Sequence, residues 1–285
     1  MLEFNIVGWR ILVSSISRLV PVVAGIANYK NPFAIFWRRV LTHGGVMTLV
    51  DRETGVSVLA MRRSYHMFGA TWYKGDYDVA ACPLRAGDVV VDVGANQGFF
   101  TCYAAQRGAR VYAYEPNPRA FDLLERNISS NGFSGLVRAK CVAVADFEGR
   151  ADLLCSTFLD GGVDTIFPEH AEAMSSFGLR TGMVNVAVSR LESLIPGDAS
   201  VRLLKLDCEG AELAILRGLK NPERFDSMAI EFHPDAYPVE SLVRTILDFG
   251  THQVYALHGQ IIHAIRTAIL IDFAQHAGSA KYNVA

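Results

Sequence analysis

From residue 88 onward, apolar runs of strand length alternate with segments of helical length, and this alternation limits what the chain can fold into. The runs are DVVVDV at 88–93, RVYAYE at 110–115, LVRAKCVAV at 136–144, VRLLKLD at 201–207 and SMAIEFH at 227–233. Helices are expected at 97–107, 118–130, 211–218 and 239–249. Strands this apolar have no polar face, so both faces must be covered. The repeated order of strand and helix then selects a parallel sheet of the α/β class. Two more strands are expected at 252–258 and 268–274, joined only by residues 259–267. A parallel crossover needs about a dozen residues or more, so this last pair should be antiparallel.

Ahead of the alternation, residues 46–61 read VMTLV-DRETG-VSVLAM, two β-branched runs around a polar turn, and predict a β-hairpin. Residues 11–28 are apolar but contain Arg18 and Pro21. The charge-free stretch 19–29 is shorter than the roughly 20 residues of a membrane span. Glu3 and Arg18 also fit a signal peptide poorly. One or two amphipathic helices are expected instead, packing on the main domain or on a second copy in a homo-oligomer. Trp9, Arg10, Arg18, Lys30, Trp37, Arg38 and Arg39 make membrane contact through residues 1–40 the weaker option. The expected division is residues 1–70, helices and hairpin serving as lid, substrate or oligomer contacts, and residues 71–285, the main domain. Residues 156–182 interrupt the alternation with Gly161, Gly162, Pro168, Gly178 and Gly182, and carry Phe158, Phe167 and Phe177. A loop this long is a lid or binding loop, here placed to overhang the carboxyl edge of the sheet.

Charge narrows the partners. Lys and Arg number 27 against 29 Asp and Glu, a net charge of −2, so the broad cationic footprint of a nucleic-acid binder is missing. The five cysteines (Cys82, Cys102, Cys141, Cys155, Cys208) form no CxxC pair, which argues against a zinc or disulfide framework and for a reducing, cytoplasmic compartment.

The sequence Asp92-Val93-Gly94-Ala95-Asn96-Gln97-Gly98 follows the first parallel strand and opens a helix. Glycines there allow a tight turn and close approach to a ligand, and the strand ends of an open α/β sheet are where nucleotide-type ligands bind. A dinucleotide fingerprint would read GxGxxG; Asn96 stands in the middle place, and Gly94 and Gly98 are the wrong distance apart. Asp92 suits a ligand with a cationic amino group better than a pyrophosphate, and S-adenosylmethionine is such a ligand. Glu115 ends the next strand, where a carboxylate can take two ribose hydroxyls. Asp146 lies either beside an adenine or in the turn before Gly149. Tyr77 is placed to reach the cofactor or its pocket.

A second group gathers at adjacent strand ends. Asp207 and Glu209 follow one strand, and Glu231 and His233, two apart, end the next. Three uses are open: His233 as general base oriented by Asp207 or Glu231, a divalent metal held by Asp207, Glu231 and His233, or contacts to the cofactor amine or substrate hydroxyls. Glu209 also has a helix-capping role open to it. Lys205 sits in a buried strand pattern and would need a carboxylate partner. Glu212 is expected to face solvent, and His43 and His66 to be structural.

These residues resemble the FkbM family of methyltransferases. The matching pieces are VVDVGANQGFFTCYAA (90–105), VYAYEPNP (111–118), LLKLDCEGAELAILRG (203–218) and AIEFHP (229–234), with a weaker match at YKGDYD (73–78). Cys208 is a small departure from the family's usual second motif. The resemblance implies the class I methyltransferase (Rossmann-like) fold, a seven-stranded, mostly parallel sheet with an antiparallel last strand. It also implies an S-adenosylmethionine-dependent O-methyltransferase acting on a hydroxyl of a small-molecule or saccharide acceptor, a sugar or a natural product. An amine or carboxylate acceptor is the first alternative. The second is a non-catalytic adaptor that keeps the fold and binds a partner through residues 1–45.

Overall fold

The computed structural model describes residues 29–33, 35, 45–61, 64–156, 164–167, 181–197 and 199–276. The N-terminal helices expected before residue 45, His43, Phe158 and Phe177 lie outside the described residues. Two compact units are present, Met1–Tyr65 and His66–Ala285.

In the first unit, β1 (Val46–Val50) and β2 (Ser57–Met61) form the expected antiparallel hairpin, with Val46 opposite Met61 and Val50 opposite Ser57. Alternation buries Met47 and Leu49 on one strand and Val58 and Ala60 on the other. Asp51 builds the turn: its Oδ2 accepts from the N–H of Glu53 (3.1 Å) and Thr54 (2.6 Å) and from the Thr54 hydroxyl (2.7 Å).

The second unit is built on a seven-stranded sheet. In chain order its strands are β3 (Val89–Val93), β4 (Arg110–Tyr114), β5 (Val137–Lys140), β9 (Leu203–Leu206), β10 (Ser227–Glu231), β11 (His252–His258) and β12 (Ile261–Arg266). Side by side they run β11-β12-β10-β9-β3-β4-β5. β3 pairs in parallel with β4 and β9, and β9 with β10, while β12 is antiparallel to both neighbours. This is the class I methyltransferase arrangement that the resemblance implies. Helices α1 (Phe99–Gln106), α2 (Pro118–Ser130), α3 (Glu212–Gly218), α4 (Val239–Asp248) and α5 (Thr267–His276) follow strands. Two-residue alternation divides the core between the sheet faces. Val89, Val91, Val93, Leu204, Leu206 and Ile230 belong to one buried cluster, and Val90, Val111, Ala113, Leu203 and Ala229 to the other. Asn117 starts α2 as its N-cap: the side chain accepts from Arg119 N–H at 2.9 Å, and Pro118 needs no partner at the first helical position.

Two expectations need correction. The apolar run 268–274 is helix α5, and the final strand is β12, which meets β11 across a tight turn at Gly259. The run 136–144 is two strands in different sheets: β5, and then β6 (Ala143–Ala145), which joins β7 (Gly149–Ser156) and β8 (Thr181–Arg190) in a three-stranded sheet of order β6-β8-β7. The interruption expected at 156–182 is thus flanked by strands, and a bridge from Leu154 to Thr165 fastens part of it down. Among the described residues no helix is long and apolar enough to cross a membrane.

Candidate active site

The chain leaves β3 toward β4 on one side, while β9 lies on the other side of β3, so β3 and β9 form the switch point where open α/β sheets bind ligands. The turn after β3 is shaped first by the chain's own packing. Gly94 has φ +73°, and a Cβ there would lie 1.7 Å from the Asp207 carbonyl oxygen, so only glycine lets the ends of β3 and β9 come this close. Gly98 has φ +85°, and its Cβ would lie 2.6 Å from Leu124 Cδ1, which presses α2 onto the start of α1. Asn96 and Glu209 are the positive-φ residues other than glycine among the described residues, at +50° and +53°. Both line the same cavity, and such strain gathers where a site over-determines the backbone.

Asp92 does not reach that cavity. It is fully buried, with Oδ2 accepting from the Thr101 hydroxyl at 2.6 Å and Oδ1 lying 3.2 Å from Lys205 Nζ. The expectation that it meets a ligand's ammonium is therefore corrected: the amino group it meets is the protein's own. Register explains this, because Asp92 and Lys205 are directly paired on β3 and β9 and point to one face. Lys205 Nζ also donates to Gly94 O at 2.7 Å and lies 3.4 Å from Asp207 Oδ2. Burial alone would lower its pKa, but Asp92 and Asp207 outweigh burial and raise it, so the lysine stays charged.

Glu115 ends β4 at the cavity wall. Its Oε2 accepts from Asn96 N–H at 2.7 Å and its Oε1 from Asn117 N–H at 2.8 Å. Burial pushes its pKa up to about 8 despite those two bonds. In its ionised form a carboxylate has about four acceptor sites, so Glu115 fixed in this way can still take hydroxyls from a ligand, whose donors favour that form. The wall beyond it is Val142, Ala143, Val144 and Leu153, with Asp164 and Ile166 from the long interruption. Of the two places open to Asp146, the structure shows the turn: it is exposed and lies off the cavity, because β6 turns its preceding residues inward and leaves Asp146 facing solvent, so it does not meet the cofactor cavity.

The acidic edge divides into two groups. In the first, Tyr77 Oη lies 2.9 Å from Asp207 Oδ2 and 2.8 Å from Glu231 Oε2. A phenol has one hydrogen to offer, so the two carboxyls compete for it. The Asp207 charge, and then burial, push Glu231 up to about 7. Tyr77 thus serves the acidic edge, not the cofactor cavity to which it was assigned. In the second group, His233 Nε2 lies 3.2 Å from Glu209 Oε2 and its Nδ1 lies 3.1 Å from Glu212 Oε1. Burial opposes a charge on the ring, but Glu212, and after it Glu209 and Asp207, push its pKa up to about 10. An imidazole that holds both protons at neutral pH has no lone pair to offer, so His233 enters the site as a cation, which does not suit the general-base use, one of the three open to it.

Glu212, expected in solvent, is fully buried. It folds back from the first turn of α3 to accept from Cys208 N–H (2.8 Å), Gly210 N–H (3.1 Å) and the Tyr237 hydroxyl (2.7 Å). It thereby ties down the turn that leads into α3, while the helix's N-cap position, Ala211, receives no side-chain hydrogen bond, so the capping role open to Glu209 is not seen. Burial alone would raise the Glu212 pKa, but these bonds and His233 hold it below the usual carboxylate value. Asp207, Glu209 and His233 each bring one donor atom within 4.8 Å of the others. Glu231, expected in a metal set, joins Asp207 through Tyr77 instead. The set does not fit a metal well as it stands, since a metal ligand must be a neutral imidazole and Lys205 and Tyr77 both lie against Asp207 Oδ2. Glu212, Tyr237, Asn117 and Asp164 were not anticipated as site residues. Only the FHPDAY spacing of His233 and Tyr237, four apart, hinted at one of them.

The methyltransferase FkbM domain model matches residues 92–257. A 31-O-demethyl-FK506 methyltransferase from Streptomyces tacrolimicus is 31% identical over 179 residues, covering 53% of this chain and 67% of that protein. A hexuronic acid methyltransferase from Haloferax volcanii is 28% identical over 170 residues, covering 58% of this chain and 65% of that protein. The chain thus spans about two thirds of the length of these curated relatives. The crystal structure of a methyltransferase FkbM from Methylobacillus flagellatus aligns at 13% identity and a TM-score of 0.44, over 88% of this chain and 60% of its own. The matched residues begin at Asp92, under the glycine turn, and take in Glu115, Asp207, Glu231 and His233, so the chain belongs to the FkbM methyltransferase family.

Proposed function

We propose that this protein is an S-adenosylmethionine-dependent O-methyltransferase whose acceptor is a hydroxyl of a small molecule, a sugar or a natural product. The observation that carries the chemistry is the setting of Asp207. Tyr77 and Lys205 both engage its Oδ2, Asp207 lines the cavity, and none of the described hydrogen bonds falls on its Oδ1. The adenosyl part of the cofactor fits the wall from Asn96 and Glu115 to Val144, with its methyl group toward Asp207. The chain's work is then to hold an acceptor hydroxyl in line with that methyl carbon and to receive its proton at Asp207 Oδ1. Lys205 and Tyr77 hold the Asp207 carboxyl in place through its Oδ2, and the His233 cation fixes Glu209 beside it. On this reading no step runs through a metal, and exhaustive chelation leaves turnover unchanged.

Calorimetry tests the cofactor first: no heat of binding with either S-adenosylmethionine or S-adenosylhomocysteine would leave the adaptor alternative. Transfer of a radiolabelled methyl group to a panel of sugar and natural-product alcohols tests the acceptor. An ether product survives mild alkali, whereas a carboxyl methyl ester does not. Asp207→Asn is expected to lower turnover by about a hundredfold or more while S-adenosylhomocysteine affinity stays within about threefold. Equal turnover would remove Asp207 as the proton acceptor.

A further inference from the structure

Tyr77 lies in a turn ahead of β3, yet that turn is fastened on both sides of it. On one side, His263 Nε2 on β12 lies 2.9 Å from the Asp76 carbonyl oxygen, which can only accept, so the ring donates. On the other, the Tyr103 hydroxyl on α1 donates to Asp78 Oδ2, and Asp78 N–H closes the turn on Gly75 O at 2.8 Å. Phe100, also on α1, meets the Tyr77 ring edge-on, with centroids 5.5 Å apart. A strand and a helix thus fix the position of one phenol oxygen. That oxygen stands between carboxyls from two different strands, 2.9 Å from Asp207 Oδ2 and 2.8 Å from Glu231 Oε2.

Two acceptors at nearly equal distance leave the hydroxyl hydrogen two places to point, and a turn about the phenol C–O bond carries it from one to the other with the oxygen still. The acceptors differ in what else meets them. Asp207 Oδ2 also faces Lys205 Nζ at 3.4 Å, whereas Tyr77 supplies the only hydrogen bond described for the Glu231 carboxyl. A hydrogen bond to an ionised acceptor is roughly twice as strong as one to a neutral acceptor. When Asp207 Oδ1 takes up a proton, its carboxyl loses its charge, and Glu231 becomes the better partner for Tyr77.

We propose that Tyr77 and Glu231 are positioning residues for the proton transfer: as the acceptor's proton reaches Asp207 Oδ1, the Tyr77 hydrogen turns from Asp207 Oδ2 to Glu231 Oε2. This rests on the O-methyltransferase reading above. The acceptor O–H bond breaks and its proton goes to Asp207, while the new O–C bond forms and the electron pair of the broken C–S bond goes to sulfur. At Tyr77 no bond to hydrogen breaks. A donor held on Oδ2 throughout would weaken Asp207 as a base, because it favours the ionised carboxyl. Glu231 keeps that hydrogen bond from being lost, so protonation of Asp207 costs less.

The test follows transfer of radiolabelled methyl from S-adenosylmethionine to the panel of alcohols at about pH 8.5, where Glu231 is ionised. Glu231→Gln offers Tyr77 a neutral acceptor and is expected to lower kcat about fivefold or more, with acceptor KM and S-adenosylhomocysteine affinity within about twofold. Glu231→Asp keeps the charge but stops a methylene short of Tyr77; it is expected to show a similar loss and serves where the glutamine variant folds poorly. In a Tyr77→Phe background, adding Glu231→Gln is expected to change kcat by less than about twofold. An equal loss in both backgrounds would mean that Glu231 acts by charge alone and would overturn the role of Tyr77. Wild-type kcat in Glu231→Gln and Glu231→Asp, with Asp207→Asn inactive, would overturn this inference and leave the O-methyltransferase reading standing. A wild type that labels no alcohol, or an Asp207→Asn variant that is fully active, would remove that reading and this inference with it.

Discussion

Gly94 and Gly132 share a φ of +73° but differ in what surrounds them. A Cβ at Gly132 meets nothing within 4 Å, whereas one at Gly94 meets the Asp207 carbonyl at 1.7 Å. Gly132→Ala is therefore expected to cost about 1 kcal/mol, the left-handed backbone penalty alone. Gly94→Ala must also part β3 from β9, so it is expected to cost at least about 2 kcal/mol more and to lose cofactor binding. Urea unfolding of the two variants measures the difference, and equal losses would contradict the close approach. His233 gives a pH signature at the same scale. Its pKa in the folded protein is raised to about 10, so its contribution to stability is complete below the ordinary histidine value and is lost as pH rises through about 10. Between pH 8 and 10 the wild-type melting temperature is expected to fall by a few degrees more than that of His233→Gln. Parallel curves would mean that the ring is not held as a cation.

At the scale of elements, Lys205 joins two strands. It sits on β9 but bonds the carbonyls that end β3 and faces Asp92 across the ladder. Lys205→Met strands the Asp92 charge in the core, and removing one partner of a buried pair costs about 3–5 kcal/mol. Adding Asp92→Asn is expected to recover much of that loss, and a simple sum of the two single losses in chemical unfolding would refute the pairing. Other elements show what a sequence can and cannot reveal. Helix α2 and strand β11 are legible to the residue, because Pro118 and Asn117 mark one start and Gly250 and Gly259 bracket the run HQVYALH of the other. Helix α5 is not, since AILIDFA is apolar enough for either state and periodicity cannot decide a run so short. Strand β8 carries a period-two signal in Val184, Val186 and Val188, but the glycines ahead of it suggest a loop. At the site, the positions of Asp207, Glu209, Glu231 and His233 follow from strand ends. Their roles do not, because roles depend on Tyr77, Glu212 and Lys205, which arrive from other segments. No spacing rule could show that Glu212 would charge His233.

For the whole molecule, the division at Tyr65 and His66 leaves every described residue of the candidate site in the second unit. That unit contains the seven-stranded sheet, both of its core clusters and the three-stranded sheet that carries Leu153. A unit with its own core can fold alone, and cofactor binding needs only the groups that line its cavity. A chain covering residues 66–285 is therefore expected to unfold cooperatively and to bind S-adenosylhomocysteine within about threefold of the full chain. Loss of binding with the fold intact would show that residues 1–65 complete the cofactor site. The methyl-transfer rate of the same fragment separates two roles for those residues. An unchanged rate makes them dispensable for the acceptor. A rate that falls with cofactor affinity intact, and is recovered when the acceptor concentration is raised, assigns them to acceptor binding, as expected of a lid or substrate contact.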